Sequence, residues 1–228
     1  MPQRSPLLEG KRVLITQASE FMGPTLCEVF AEHGAQVIES DADLAPEAAA
    51  AEVVASAGPI DVLVANLAIS APDTPLTDIG EDEWREVFAA LVDPLPRLVR
   101  TVLPDMVEQG GGKILVMGSA SALKGMKRRA TYSAARGAQL AYVQAAGVEA
   151  APQGVQINLI AQNFVENPTY FPPEVQAHPA FKERMKQVPL GRLVTAREDA
   201  EFAAYLCSDH ADCFVGQVFP VCGGWVQR

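Results

Sequence analysis

The chain has 228 residues, 49% of them hydrophobic, enough for one domain with a large core. Its formal net charge of −10 argues against a nucleic-acid partner, because neutralising phosphates needs a basic surface. No apolar run of ~18 residues predicts a membrane span and MPQRSPLLEGKR lacks a secretory core; the four cysteines and three histidines show no metal-ligand spacing, so a cytoplasmic, metal-free chain with reduced thiols is expected.

Short β-branched runs alternate with longer helical stretches. RVLIT (12–16) predicts the first strand, followed by a turn and a helix over 24–33 with Leu26, Val29 and Phe30 inward. QVIES (36–40), a helix over 45–57 and DVLVAN (61–66) come next. One long helix is predicted over 81–109, with Trp84, Val87, Phe88, Leu91 and Val92 as its inward stripe. KILVMG (113–118), a helix over 131–151, VQINLI (155–160), a helix over 197–208 and QVFPV (217–221) complete the series. Strands this uniformly apolar are covered on both faces, so the pattern predicts a single-domain α/β fold, a doubly wound parallel sheet of Rossmann type. The stretch 161–190 is long for a connection and rich in proline and aromatic residues. It follows a strand, where open α/β sheets bind ligands, so it is expected to wall a pocket.

Ser119 stands at the carboxyl end of KILVMG, and TYSAARGA opens the next helix with Tyr132 and Arg136. Spacing i, i+4 stacks the phenol and guanidinium on one helical face. A nearby cation favours phenolate. A fall of about two units from ~10 takes the phenolate fraction at pH 7 from roughly 0.1% to 10%, which suits Tyr132 as a general base toward an alcohol. Taken singly, Tyr132 also fits a core tyrosine and Arg136 a surface ion-pair member.

In an α/β frame, the pattern S-x12-Y-x3-[K/R] resembles the short-chain dehydrogenase/reductase superfamily, as do VANLA (64–68) and the tail PLGRL…EDAEFAAYLCSD…FVGQVFPVCGG. Two departures stand out. Arg136 replaces the lysine of those reductases, and their glycine-rich turn here reads Thr16-Gln17-Ala18-Ser19-Glu20-Phe21-Met22-Gly23. Together they resemble the halohydrin dehalogenases, in wording closest to the B-type subgroup, with Thr16, Phe21 and Gly23 matching a T-x4-[F/Y]-x-G turn. The segment QNFVENPTYFPPE (162–174) is similar to that family's halide-pocket loop.

The resemblance implies a homotetrameric enzyme that needs no cofactor and turns vicinal haloalcohols into epoxides, halide and a proton. The reverse reaction opens epoxides with azide, cyanide or nitrite. Ser119, Tyr132 and Arg136 are the implied catalytic residues, and Phe21, Gln162, Asn163, Phe164 and Phe171 the implied halide and substrate pocket. The partners implied are a small haloalcohol or epoxide and a small anion. The alternative is an atypical NAD(P)-dependent reductase, for which Glu39 and Asp41 past the second strand could hold a ribose. Two features stay open at this point. The basic stretch KGMKRR (124–129) could steer anions or be a solvated loop, and Trp225 could finish the core or reach a neighbouring subunit.

Overall fold

In the computed structural model, which describes residues 6–227, six parallel strands form one sheet in the order β2-β1-β3-β4-β5-β6. The first five residues, part of the N-terminal stretch considered above for secretion, and Arg228 lie outside the described residues. The strands are β1 (Arg12–Thr16), β2 (Gln36–Ser40), β3 (Val62–Ala65), β4 (Gly112–Ser119), β5 (Val155–Gln162) and β6 (Val218–Val221). Their side chains alternate between two apolar layers, as the period of two requires. Val13, Ile15, Val62, Val64, Leu115 and Met117 face one core; Leu14, Leu63, Ala65, Ile114 and Val116 face the other.

The first core is covered by α1 (Gly23–Glu32) and α8 (Ala196–Leu206), which pack on each other. The second is covered by α2 (Ala49–Ala57), α4 (Pro94–Glu108) and α5 (Ala130–Ala150). Truncating a fully buried side chain such as Leu14 or Leu63 to alanine costs about 2–5 kcal/mol in such a core. Among the described residues, no helix is long and apolar enough to cross a membrane.

Some expected boundaries need correction. The stretch 81–109 is two helices, α3 (Glu81–Leu91) and α4, because Pro94 lacks an N–H and its ring would strike the carbonyl of Ala90. Pro94 instead opens α4, the position proline tolerates best. Trp84 does not face inward: it is exposed and stacks on Phe88 at 4.5 Å between ring centroids, while Val87 and Leu91 are buried as expected. The second helix starts at Ala49 rather than 45, since Asp43 Oδ1 accepts the Ala45 N–H at 2.9 Å and holds a turn there. The stretch 161–190 is not structureless: β5 runs into it as far as Gln162, and it carries α6 (Pro173–Ala177) and α7 (Pro179–Met185).

After β1 the chain crosses to β2 on one side and then to β3 on the other, so the strand order reverses between β1 and β3. The carboxyl ends flanking that point are where ligands reach an open α/β sheet. The turn after β1, the loop after β3, Ser119 at the end of β4 and Gln162 at the end of β5 all lie along this edge.

Candidate active site

The turn after β1 keeps a glycine conformation without its glycines. Gln17 has φ +45° and Phe21 φ +50°, both left-handed, where non-glycine side chains carry strain of about 1–3 kcal/mol. The turn is held from outside. The Gln17 side chain pairs with the backbone of Ala68 in both directions, Nε2 donating to the carbonyl at 3.0 Å and Oε1 accepting the N–H at 2.6 Å. Asn66 Nδ2 donates to the carbonyls of Gln17 (3.0 Å) and Glu20 (3.3 Å). Gly23 is required by contact: a Cβ there would lie 2.3 Å from the Gln17 carbonyl oxygen.

All eight residues singled out from the sequence line one cavity of about 230 Å³: Phe21, Ser119, Tyr132, Arg136, Gln162, Asn163, Phe164 and Phe171. Ser119 is the last residue of β4 and sits in register beside Gln162 of β5, which fixes their spacing through the sheet. Tyr132 and Arg136 share one face of α5, and the guanidinium carbon lies 5.0 Å from the tyrosine ring centroid. Arg136 is almost fully buried. Its Nη1 donates to the carbonyls of Leu67 (2.8 Å) and Met117 (3.1 Å) and to Gln139 Oε1 (2.9 Å). A charge tied to three acceptors in this way is held against the phenol.

Burial opposes ionisation of Tyr132, but the Arg136 charge and hydrogen-bonding groups of Arg136, Tyr170 and Ser119 outweigh it, so the phenol lies below its ordinary value. Tyr170 moves the other way: burial, and then its neighbour Tyr132, push its phenol up. One tyrosine is thus biased toward phenolate and the other keeps its proton, which in the structure the Tyr170 hydroxyl donates to the Ile69 carbonyl.

Aromatic rings build the far wall. Phe164, itself left-handed at φ +53°, stacks on Phe171 at 6.1 Å and meets Trp225 edge-on at 6.0 Å. Phe171 packs on Phe181 at 5.6 Å, and the Phe21 ring lies 5.8 Å from that of Tyr170. Asn163 Oδ1 accepts the Phe164 N–H at 2.9 Å, while its Nδ2 is buried with no partner among the described residues. An unpaired donor beside rings is a place for a weakly hydrated anion.

Several neighbours of these residues escaped the sequence reading. Tyr170 lies beside the chosen Phe171, and a second polar-tipped aromatic was the signal for it. Arg184 of α7 and Asn167 also line the cavity. Asp199 lies behind Gln162: it is fully buried, its Oδ2 accepts the Gln162 Nε2–H at 2.5 Å, and its Oδ1 has no partner among the described residues. Burial pushes its carboxyl up to about 7 despite the Gln162 bond. A carboxyl in the apolar stripe Ala200, Ala203, Ala204 was the available hint.

The two open features also find places. Trp225 is buried within its own chain, against Phe164. In the basic stretch, Lys124 Nζ donates to the Trp225 carbonyl at 3.0 Å, and Arg128 and Arg129 both pair with Asp73.

A parallel sheet in this strand order, with a serine, a tyrosine and an arginine clustered at its carboxyl edge, defines a short-chain dehydrogenase/reductase frame. The chain belongs to that superfamily: a family model described as enoyl-(acyl carrier protein) reductase matches residues 7–226. It is 33% identical to a 2-keto-3-deoxy-L-fuconate dehydrogenase of Xanthomonas campestris, over 96% of this chain and 81% of the relative. It is 30% identical to the 3-oxoacyl-[acyl-carrier-protein] reductase FabG of Vibrio cholerae, over 95% and 98%. Among solved structures it is similar to one described as a dehalogenation enzyme, with 30% identity, a TM-score of 0.89, and coverage of 96% of this chain and 100% of that one.

The frame raises the question of a nicotinamide dinucleotide, whose pyrophosphate needs glycine backbone and free N–H groups at the first turn. Here the residues do not fit that group. Phe21 puts a ring where the turn should be bare, and Gln17 seals the turn to Ala68. The Ser19 N–H is already taken by Asp41 Oδ1 at 2.8 Å, which sets a carboxylate beside the phosphate seat.

Proposed function

We propose that the chain is a halohydrin dehalogenase that works without a nucleotide. The observation that carries this reading is the Phe21 ring, which shares one cavity with Ser119, Tyr132 and Arg136. The similarity to a dehalogenation enzyme supports it.

Ser119 holds the substrate hydroxyl, and Tyr132, as phenolate, takes its proton. Arg136 stabilises the phenolate, being charged at any working pH. The alkoxide oxygen then attacks the neighbouring carbon. A C–O bond forms as the carbon–halogen bond breaks, and the halide leaves with the bonding pair. The step is intramolecular, so proximity favours it. Gln162, Asn163 and the rings of Phe21, Phe164 and Phe171 receive the halide. Run backwards, the site opens an epoxide with azide, cyanide or nitrite. An assembly of four copies is part of the same reading.

The second reading is an atypical NAD(P)-dependent reductase. It is favoured by the sequence relatives, which are a dehydrogenase and a reductase. Incubation with 1,3-dichloro-2-propanol and no nucleotide separates the two. Release of chloride and acid is expected. No release, together with a change in NADPH fluorescence on titration, would establish the reductase instead.

A further inference from the structure

Among the described residues, the cavity is lined by three arginines and by no aspartate or glutamate, in a chain whose formal net charge is −10. Two of these cations are already engaged. Arg136 is bound to two carbonyls and Gln139, and Arg129 to Asp73 and the carbonyl of Ala71. Arg184 differs. It is exposed, and among the described residues it has no carboxylate partner; the adjacent Glu183 pairs with Lys186 at 2.5 Å. Its guanidinium carbon stands 5.8 Å from the Phe164 ring, a wall of the halide pocket.

Building on the dehalogenase reading, we infer that Arg184 captures the small anion at the mouth and passes it to the Asn163–Phe164 wall. The overall field of an acidic protein repels halide and azide, and a local uncompensated cation reverses that field over the last few ångströms. An arginine held over an aromatic face suits this task. The ring holds the cation in place without neutralising it, whereas a carboxylate partner would cancel it. Since Arg128 and Arg129 of the basic stretch are paired with Asp73, and neither Lys124 nor Lys127 lines the cavity, anion steering falls to a different element from the one its charge density suggested.

Trp225, edge-on to Phe164, supplies a readout that does not depend on turnover. Bromide is titrated at constant ionic strength, set with sodium sulfate, and followed by Trp225 fluorescence in a Trp84→Phe background. Arg184→Gln is expected to raise the bromide Kd about three- to tenfold, and Arg184→Lys to stay within about twofold of the parent. In epoxide opening, the azide KM should rise with Arg184→Gln far more than kcat falls, and the salt dependence of kcat/KM should shrink. Equal bromide affinities and equal salt dependence in the parent and Arg184→Gln would overturn the inference, even in an active dehalogenase. A raised bromide Kd in a protein that releases no chloride from 1,3-dichloro-2-propanol would uphold anion capture by Arg184 and overturn the dehalogenase reading instead.

Discussion

The Arg136 guanidinium carbon lies 5.0 Å from the centroid of the Tyr132 ring, one helical turn away, and is pinned there by the carbonyls of Leu67 and Met117. Those carbonyls belong to the loop after β3 and to β4, so three elements fix the pair. The charge cannot swing away from the phenol without leaving buried acceptors unpaired.

On the proposed reaction, Tyr132→Phe should lower halide release by about 10³-fold and Ser119→Ala by about 10²-fold, the range for loss of a positioned proton acceptor or its partner. Chloride release from 1,3-dichloro-2-propanol measures both, and circular dichroism checks that the fold persists. Retained turnover in Tyr132→Phe would remove it as the base.

The working form of Tyr132 is the phenolate, so the rate should rise with pH through the folded-state value, which lies below the ordinary 10. Stability follows the same limb. In that window the unfolded chain still binds the proton, so stability is gained as pH rises and lost as pH falls through the folded value. Tyr170→Phe deletes a hydroxyl that favours the phenolate. It should move the pH–rate midpoint upward by about half to one unit, lowering the rate at neutral pH about three- to tenfold. An unmoved midpoint would separate Tyr170 from the proton chemistry.

Asp199 titrates with the opposite sign. Its folded value of about 7 lies above the ordinary 3.8, so the folded chain binds the extra proton between those limits. Stability is then greatest at the acidic end and is lost as pH rises toward 7, by about 3–4 kcal/mol in order of magnitude. Asp199→Asn should flatten this part of the curve and stabilise the protein at pH 8. Urea unfolding of both proteins at pH 5 and pH 8 tests it, and parallel pH dependences would show that Asp199 does not carry the change.

Phe21→Gly relieves a left-handed φ but removes a cavity wall. Dehalogenation should fall about tenfold, since the ring walls the anion site and packs against Tyr170. NADPH should still fail to bind, because Asp41 keeps the Ser19 N–H and Gln17 keeps Ala68. Fluorescence titration with NADPH reads this, and tight binding would show that the ring alone had closed the site.

Much of this molecule was legible in its sequence because the signals were local. The alternation of strands and helices gave a doubly wound sheet, since a strand's period of two and a helix's inward stripe leave their marks within a few residues. The i, i+4 pair of Tyr132 and Arg136 and the altered turn at Phe21 were local in the same way. Where sequence erred, a neighbour in space or a covalent detail won. Pro94 broke a stripe that looked continuous, and Trp84 took a place outside the core. Tertiary structure alone brought β4 and β5 into the register that sets Ser119 beside Gln162, and put Asp199 behind Gln162 from an element 37 residues away. It alone decided that Arg128 and Arg129 are paired while Arg184 has no carboxylate partner among the described residues. Charges 55 residues apart, as in Arg128 and Asp73, leave no periodic trace in the sequence. Only the folding of the chain decides which of them are neutralised.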